Sequence, residues 1–253
     1  MIANSLKKGA NKIAPSLTSY AKRHLRGFRS RQKLIHEATD LRKRCQNAAT
    51  LDSAMDIICT SKRFAPKQMQ HEFLDLLWLL EKHQPKYICE IGSARGGTLA
   101  LFCQIAAANA RLLAIDIDFT NSRVKALKHF AVKPQEITCI AGDSKASETL
   151  RQVEEWLGEN KLDFLFVDGD HTKQGVTNDF NNFLPYMRDG GIIGFHDIVP
   201  DSKMRNGIES SADVGQVPEF WSELKEHYSN TLELIEDLEQ DGYGIGVLRL
   251  KSN

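Results

Sequence analysis

Tyr87-Ile88-Cys89-Glu90-Ile91-Gly92-Ser93-Ala94-Arg95-Gly96-Gly97-Thr98 reads as a short buried strand, a glycine-rich turn and the start of a helix. The strand Tyr87 to Ile91 is apolar except for Glu90, and Pro85 closes off whatever precedes it. Glycines in such a turn take backbone angles closed to other residues and let a ligand approach the main chain. Thr98 is a candidate cap for a helix over Leu99 to Asn109. Strand, glycine turn and helix N-terminus together make a cradle for a polar or anionic small molecule.

Upstream of this stretch, Met69, Phe73, Leu76, Leu77 and Leu80 recur at helical spacing, so 67–83 is predicted to be an amphipathic helix. Residues 31–60 also read as helical, with Leu34, Ile35, Ala38, Leu41 and Cys45, then Leu51, Ala54, Met55 and Ile58, and with Thr50 or Asp52 as a cap. Residues 1–44 carry a net charge of about +10, whereas the whole 253-residue chain sums to zero. A basic arm is therefore joined to an acidic body. Gly9, Pro15 and Gly27 interrupt any long helix in the arm. It reads either as a surface for an anionic membrane or nucleic acid, or as a helical extension that packs on the body or on a second subunit or is partly disordered, and the sequence leaves these open.

Downstream, short apolar runs alternate with helical ones. Strands are predicted at Arg111 to Asp118, Glu136 to Ala141, Phe164 to Val167 and Gly191 to Phe195, with helices over 121–131, 145–158 and 173–188 between them. Asn121 or Ser122 is the expected cap of the first. This alternation is the pattern of an α/β fold, a doubly wound, mostly parallel sheet covered on both faces. After a polar loop (199–217) and a helix (218–228), Leu232 to Ile235 and Tyr243 to Leu250 read as two further strands. Asp241-Gly242 between them predicts a hairpin, and hence one antiparallel strand near an edge. The expected division is a basic helical extension, 1–63, and a Rossmann-like domain, 64–253.

Composition excludes several classes. With 42% hydrophobic residues there is ample material for a core. No run approaches the ~18 apolar residues of a membrane span, and the N-terminus lacks the apolar segment of a secretory signal. The five cysteines are scattered with no CxxC pair, which argues against zinc or redox chemistry and fits a reducing cytoplasm. The expected location is the cytoplasm, with contact at the inner membrane face open through the arm. No nucleic-acid partner is expected of an acidic body.

Chemistry-bearing residues gather where the strands end: Glu90 and the glycines, Asp116 and Asp118, Asp143, then Asp168, Asp170 and His171, then His196 and Asp197. Turns and caps also use Asp, but acids at every strand end exceed that need. Ligands of open α/β sheets bind beyond those ends. Glu90-x-Gly92-x-x-x-Gly96 is not the GxGxxG of a dinucleotide fold, and no Gly-Lys-Ser/Thr follows for a nucleoside triphosphate. Asp116, about 20 residues after Gly96, can accept both hydroxyl protons of a ribose. An adenosine with an amino-acid tail fits best: the turn's N–H groups and Thr98 for the tail carboxylate, Glu90 for its ammonium.

Glu90-Ile-Gly-Ser-Ala-Arg-Gly-Gly-Thr98, Ile115-Asp-Ile-Asp118, Phe166-Val-Asp-Gly-Asp-His171 and Gly190-Gly-Ile-Ile-Gly-Phe-His-Asp197 resemble the class I S-adenosylmethionine-dependent methyltransferases, in the branch of cephalosporin-hydroxylase-like and sugar O-methyltransferases. The resemblance covers about 64–250. It implies a seven-stranded sheet of order 3-2-1-4-5-7-6, Asp116 on the cofactor ribose and Gly142-Asp143-Ser144 beside its adenine. It implies S-adenosyl-L-methionine as cofactor, held by Glu90, Gly92, Ser93, Gly96, Gly97, Thr98, Asp116, Gly142, Asp143, Ser144 and Asp168.

In that strand order Asp168 and Asp197 end neighbouring strands, about 4.8 Å apart, so a divalent cation is expected on Asp168, His196 and Asp197. Metal-dependent relatives carry Asp-Asn or Glu-Asp at the second position. The His-Asp here leaves the ion open, with Mg²⁺ or Mn²⁺ expected first. Asp168 and His171 are the expected catalytic pair, His171 taking the proton of an acceptor hydroxyl. The expected activity is methyl transfer to a hydroxyl of a small molecule or glycan sugar. The alternative is a non-catalytic cofactor-binding or assembly protein working through its basic arm, and a homo-oligomer through the extension is open.

Overall fold

The computed structural model describes residues 30–252. The expectations for residues 1–29 of the basic arm lie outside them. Helix α1 runs over 30–46, followed by α2 (Leu51–Cys59) and α3 (Gln70–Glu81). The alternating body follows: β1 (Tyr87–Ile91), α4 (Gly97–Ile105), β2 (Arg111–Asp116), α5 (Asn121–Leu127), β3 (Glu136–Ala141), α6 (Ser147–Leu157), β4 (Leu162–Val167), α7 (Lys173–Phe183) and β5 (Met187–His196). Then come α8 (Ser202–Asn206), α9 (Val217–His227), β6 (Thr231–Leu234) and β7 (Ile245–Arg249).

The seven strands form one sheet of order β3-β2-β1-β4-β5-β7-β6. Strands β1 to β5 are mutually parallel, and β7 runs antiparallel to both β5 and β6. The expected topology is present. It brings the C-terminal ends of β1, β2, β4 and β5 to one rim, where the acids sit.

The two faces of the sheet bury separate cores. Alternation along β4 sorts them: Phe164 and Phe166 face one side, Leu165 and Val167 the other. On the first side Phe102 of α4 lies edge-on to Phe164 and Phe166 at 5.3 and 5.6 Å, and Phe73 of α3 meets Phe166 at 5.9 Å. Ala38, Leu41, Met55 and Ile58 from α1 and α2 belong to this same core. The described part of the extension is therefore built into the body rather than appended to it.

Several local expectations are corrected. Gly96, in the left-handed region at φ 81°, takes the N-cap position of α4, and Thr98 lies inside the helix with its hydroxyl committed elsewhere. Thr120, not Asn121 or Ser122, caps α5 by accepting from the Arg123 N–H. Helix α7 stops at Phe183, because Pro185 allows only a short 3₁₀ turn, Leu184–Tyr186. Strand β5 starts at Met187 rather than Gly191, and its polar residues 188–190 lie where the register to β4 shifts. Asp241-Gly242 is only part of the link from β6 to β7, which runs over 235–244. Glu72 of α3 holds that link, accepting from Gln240 Nε2 at 2.6 Å, Gly244 N at 2.9 Å and Glu236 N at 3.3 Å.

Candidate active site

The glycine turn is seated by its neighbours. Gly92 N donates to Ile115 O and Asp168 N to Ile91 O, both at 2.9 Å, so the ends of β1, β2 and β4 are laced together. Gly92 has φ 85°, and a Cβ there would stand 1.9 Å from Asp168 O. Only glycine admits this turn and this approach. Gly97 is required for a different reason: a Cβ would stand 2.0 Å from Phe64 O, in the segment leading into α3.

Glu90 is fully buried beneath the turn, where it accepts the hydroxyls of Ser93 (2.5 Å) and Thr98. Burial pushes its carboxyl up to about 7 despite those two hydrogen bonds. Asp116 accepts from Ala94 N through one oxygen and from Asp118 N through the other, each at 2.7 Å. Beside it Gly142 N donates to Asp116 O (3.1 Å), Asp143 accepts from Lys145 N (3.0 Å), and Ser144 Oγ donates to Asp179 Oδ1 at 2.6 Å. Asp179 of α7 is buried, which raises its carboxyl to about 6, and its Oδ2 has no partner.

The second cluster sits where β4 and β5 end. His196 Nδ1 lies 3.1 Å from Asp168 Oδ1 and 3.1 Å from Asp197 Oδ2. His171, one turn past Asp168, brings Nε2 within 3.5 Å of Asp168 Oδ1 and Nδ1 within 3.6 Å of Asp197 Oδ2, with Nδ1 also against Asp213 O. Burial opposes charge on both sides, but the pairing wins. Asp168 is brought down to about 2, chiefly by the His196 charge, and His196 is raised to about 10 by Asp168 and Asp197. His171 is raised to about 9, first by its hydrogen bond to Asp168. Asp197 is held at φ 64°, a left-handed angle that a non-glycine residue keeps only when its surroundings enforce it.

All the residues singled out at the strand ends lie on this one rim, in two groups that meet at Asp168. Among the described residues, Asp168, His171 and Asp197 bring donor atoms within 4.8 Å of one another, a set that could hold an ion. His196, expected in that set, faces the same two carboxylates through Nδ1 and leaves Nε2 unpartnered. Two residues escaped the sequence reading. Gln68 reaches Asp168 Oδ2 at 2.6 Å from the segment before α3, and Asp179 lies on the inner face of α7. No strand-end position marks either one.

Residues 89–198 match the family model described as Methyltransferase domain. An uncharacterized protein, R132, of Acanthamoeba polyphaga mimivirus is 33% identical over 134 residues, which are 50% of this chain and 58% of that protein. The chain thus spans little more than half the length of this curated relative. Among solved structures, the O-methyltransferase TomG from Streptomyces achromogenes, involved in tomaymycin synthesis and in complex with S-adenosylmethionine, has a TM-score of 0.56 at 16% identity, covering 80% of this chain and 91% of that one. The O-methyltransferase from Bacillus cereus in complex with S-adenosylhomocysteine has a TM-score of 0.54, also at 16% identity with 80% and 91% coverage. At such identities the likeness is one of fold. Residues 89–198, matched to a methyltransferase domain, thus lie at the centre of a sheet whose fold the chain shares with these solved O-methyltransferases.

Proposed function

We propose that the chain is an S-adenosylmethionine-dependent O-methyltransferase, assisted by a divalent cation, that methylates a hydroxyl of a small molecule or glycan sugar. The observation that carries this reading is the junction at Asp168. Its backbone touches the glycine turn, while its side chain belongs to the Asp168–His171–His196–Asp197 cluster. Donor and acceptor chemistry thus meet at one residue. Glu90, Gly92, Ser93, Asp116 and the Gly142-Asp143-Ser144 turn would receive the donor, as the resemblance implies. Gly96, Gly97 and Thr98 support it from behind by closing the turn against α5, the extension and Glu90.

Two carboxylates and an imidazole, with donor atoms within 4.8 Å, suit a divalent cation. Such an ion would lower the pKa of an acceptor hydroxyl and orient it. Either role needs neutral His171, and a cation on Asp168 and Asp197 would favour that form by displacing the proton. The closeness of its donor atom to those of Asp168 and Asp197 supports His171 as a third donor to the ion over the proton acceptor expected from sequence. His196 orients the two carboxylates. Holding both reactants in place supplies most of the acceleration in such a site.

The test is calorimetric titration of S-adenosylmethionine with and without chelator, followed by transfer of labelled methyl to polyhydroxylated acceptors in Mg²⁺, Mn²⁺ or chelator. Binding that survives chelation, with transfer that does not, is expected. Full transfer in excess chelator removes the cation from the reading, and lack of donor binding removes the reading itself.

A further inference from the structure

Gln68 is the one described side chain from ahead of β1 whose hydrogen bond reaches the strand-end cluster, and its amide is oriented from both ends. Its Oε1 accepts from Lys67 N at 3.1 Å, and its Nε2 donates to Asp168 Oδ2 at 2.6 Å. It is buried. The segment that carries it is fastened at several points. Ser61 Oγ donates to Glu37 Oε1 at 2.6 Å and accepts from Phe64 N at 3.0 Å. Phe64 is fully buried, packed edge-on to Phe130 at 5.1 Å and covered by the Arg123 guanidinium at 5.0 Å. Arg123 Nη1 also donates to Arg63 O (3.0 Å) and Arg95 O (3.1 Å), tying this segment to the glycine turn. The bare face of Gly97 completes the seat.

We propose that Gln68 is a positioning residue for the ion-binding face of the site. By holding Oδ2 of Asp168, it fixes the carboxylate rotamer that turns Oδ1 toward His171 and His196. A side chain within the ion's own shell works only if its orientation is set, and partners that set it typically change metal affinity by about 10- to 100-fold. The fastening described above means that Gln68 arrives already placed, with little rotamer freedom left to lose. This inference rests on the reading of Asp168, His171 and Asp197 as cation donors.

The experiment compares the full-length chain with Gln68→Met, which keeps length and bulk but cannot donate, and with Gln68→Asn, which is a methylene too short. Each is titrated with Mn²⁺ alone and, separately, with S-adenosylhomocysteine. Mn²⁺ binding about tenfold weaker in both variants is expected, with S-adenosylhomocysteine affinity within twofold of the parent. Equal Mn²⁺ affinity in parent and variants overturns the role of Gln68 and leaves the cation reading standing. A variant that loses S-adenosylhomocysteine binding as well shows a structural effect and also overturns it. A parent chain that binds no Mn²⁺ removes the cation reading and this inference with it.

Discussion

Asp116 at the end of β2 accepts the backbone N–H of Ala94 in the glycine turn at 2.7 Å. One carboxylate thus closes the turn, and on the function proposed above it would also receive the donor ribose. Asp116→Ala removes this bond and the matching one to Asp118 N. Each hydrogen bond to a charged group is worth about 1.5–3 kcal/mol. The alanine variant is expected to bind S-adenosylhomocysteine at least about tenfold more weakly. Asp116→Asn keeps one carbonyl acceptor and should fall between. Titration calorimetry decides it, and an alanine variant that binds like the parent would remove Asp116 from the donor site.

Glu90 gives the pH dependence a definite sign. Its carboxyl is raised by burial from 4.5 to about 7, so the folded chain keeps this proton where the unfolded chain has lost it. The contribution to stability is fully present below about pH 4.5 and is lost as pH rises through about 7. The upper bound is about 3–4 kcal/mol, from the rise from 4.5 to about 7 at roughly 1.36 kcal/mol per pH unit. Glu90→Gln has no proton to lose. Urea midpoints of parent and variant should therefore diverge between pH 5 and pH 8 in favour of the variant. Parallel midpoints across that range would show that Glu90 titrates normally.

The fold was legible because periodicity was strong where burial was two-sided. Leu112 to Ile115 and Phe164 to Val167 are unbroken apolar runs that, set between amphipathic helices, read as central parallel strands. The start of β5 was not legible, since Arg188, Asp189 and Gly190 are polar and lie at a register shift. The strand-end acids were legible because topology alone carries Asp116, Asp168 and Asp197 to one rim. What escaped depends on tertiary contact. Thr98 reads as a cap until Glu90 is seen beneath it, and Gln68 reads as a polar residue near a helix start until the packing of Phe64 brings it to Asp168, 100 positions away. The division of labour between His171 and His196 likewise comes from geometry, for both types suit either role.

The glycines of the rim offer a graded test. Gly92→Ala forces a Cβ to within 1.9 Å of Asp168 O, and Gly97→Ala to within 2.0 Å of Phe64 O, so backbone must move in both. Gly207 has a left-handed backbone, φ 69° and ψ 17°, but a Cβ there meets nothing within 4 Å. Alanine at that position should cost only the left-handed backbone penalty, about 1–2 kcal/mol. The rim variants should exceed that and weaken S-adenosylhomocysteine binding too, while the Gly207 variant leaves binding intact. Denaturant midpoints and donor titration on all three would check the order. Equal losses across the set would show that the rim is more plastic than its contacts indicate.

Asp197 combines a left-handed backbone, φ 64°, with a carboxylate against His171 and His196. Strain and chemistry can be separated there by three substitutions. Asp197→Ala removes the carboxylate and keeps a Cβ in the disfavoured region. Asp197→Gly removes the carboxylate and the strain together. Asp197→Asn keeps a side chain that tolerates this region and loses only the charge. All three leave His196 with Asp168 as its sole carboxylate partner, so this cost is common to them. The glycine variant should therefore be more stable than the alanine variant by about 1 kcal/mol, measured by urea denaturation. Methyl transfer should fall by at least about 100-fold in all three if Asp197 donates to the ion. Equal stability of Ala and Gly would show that the angle is not strained, and an active Asn variant would show that the site needs no charge at this strand end.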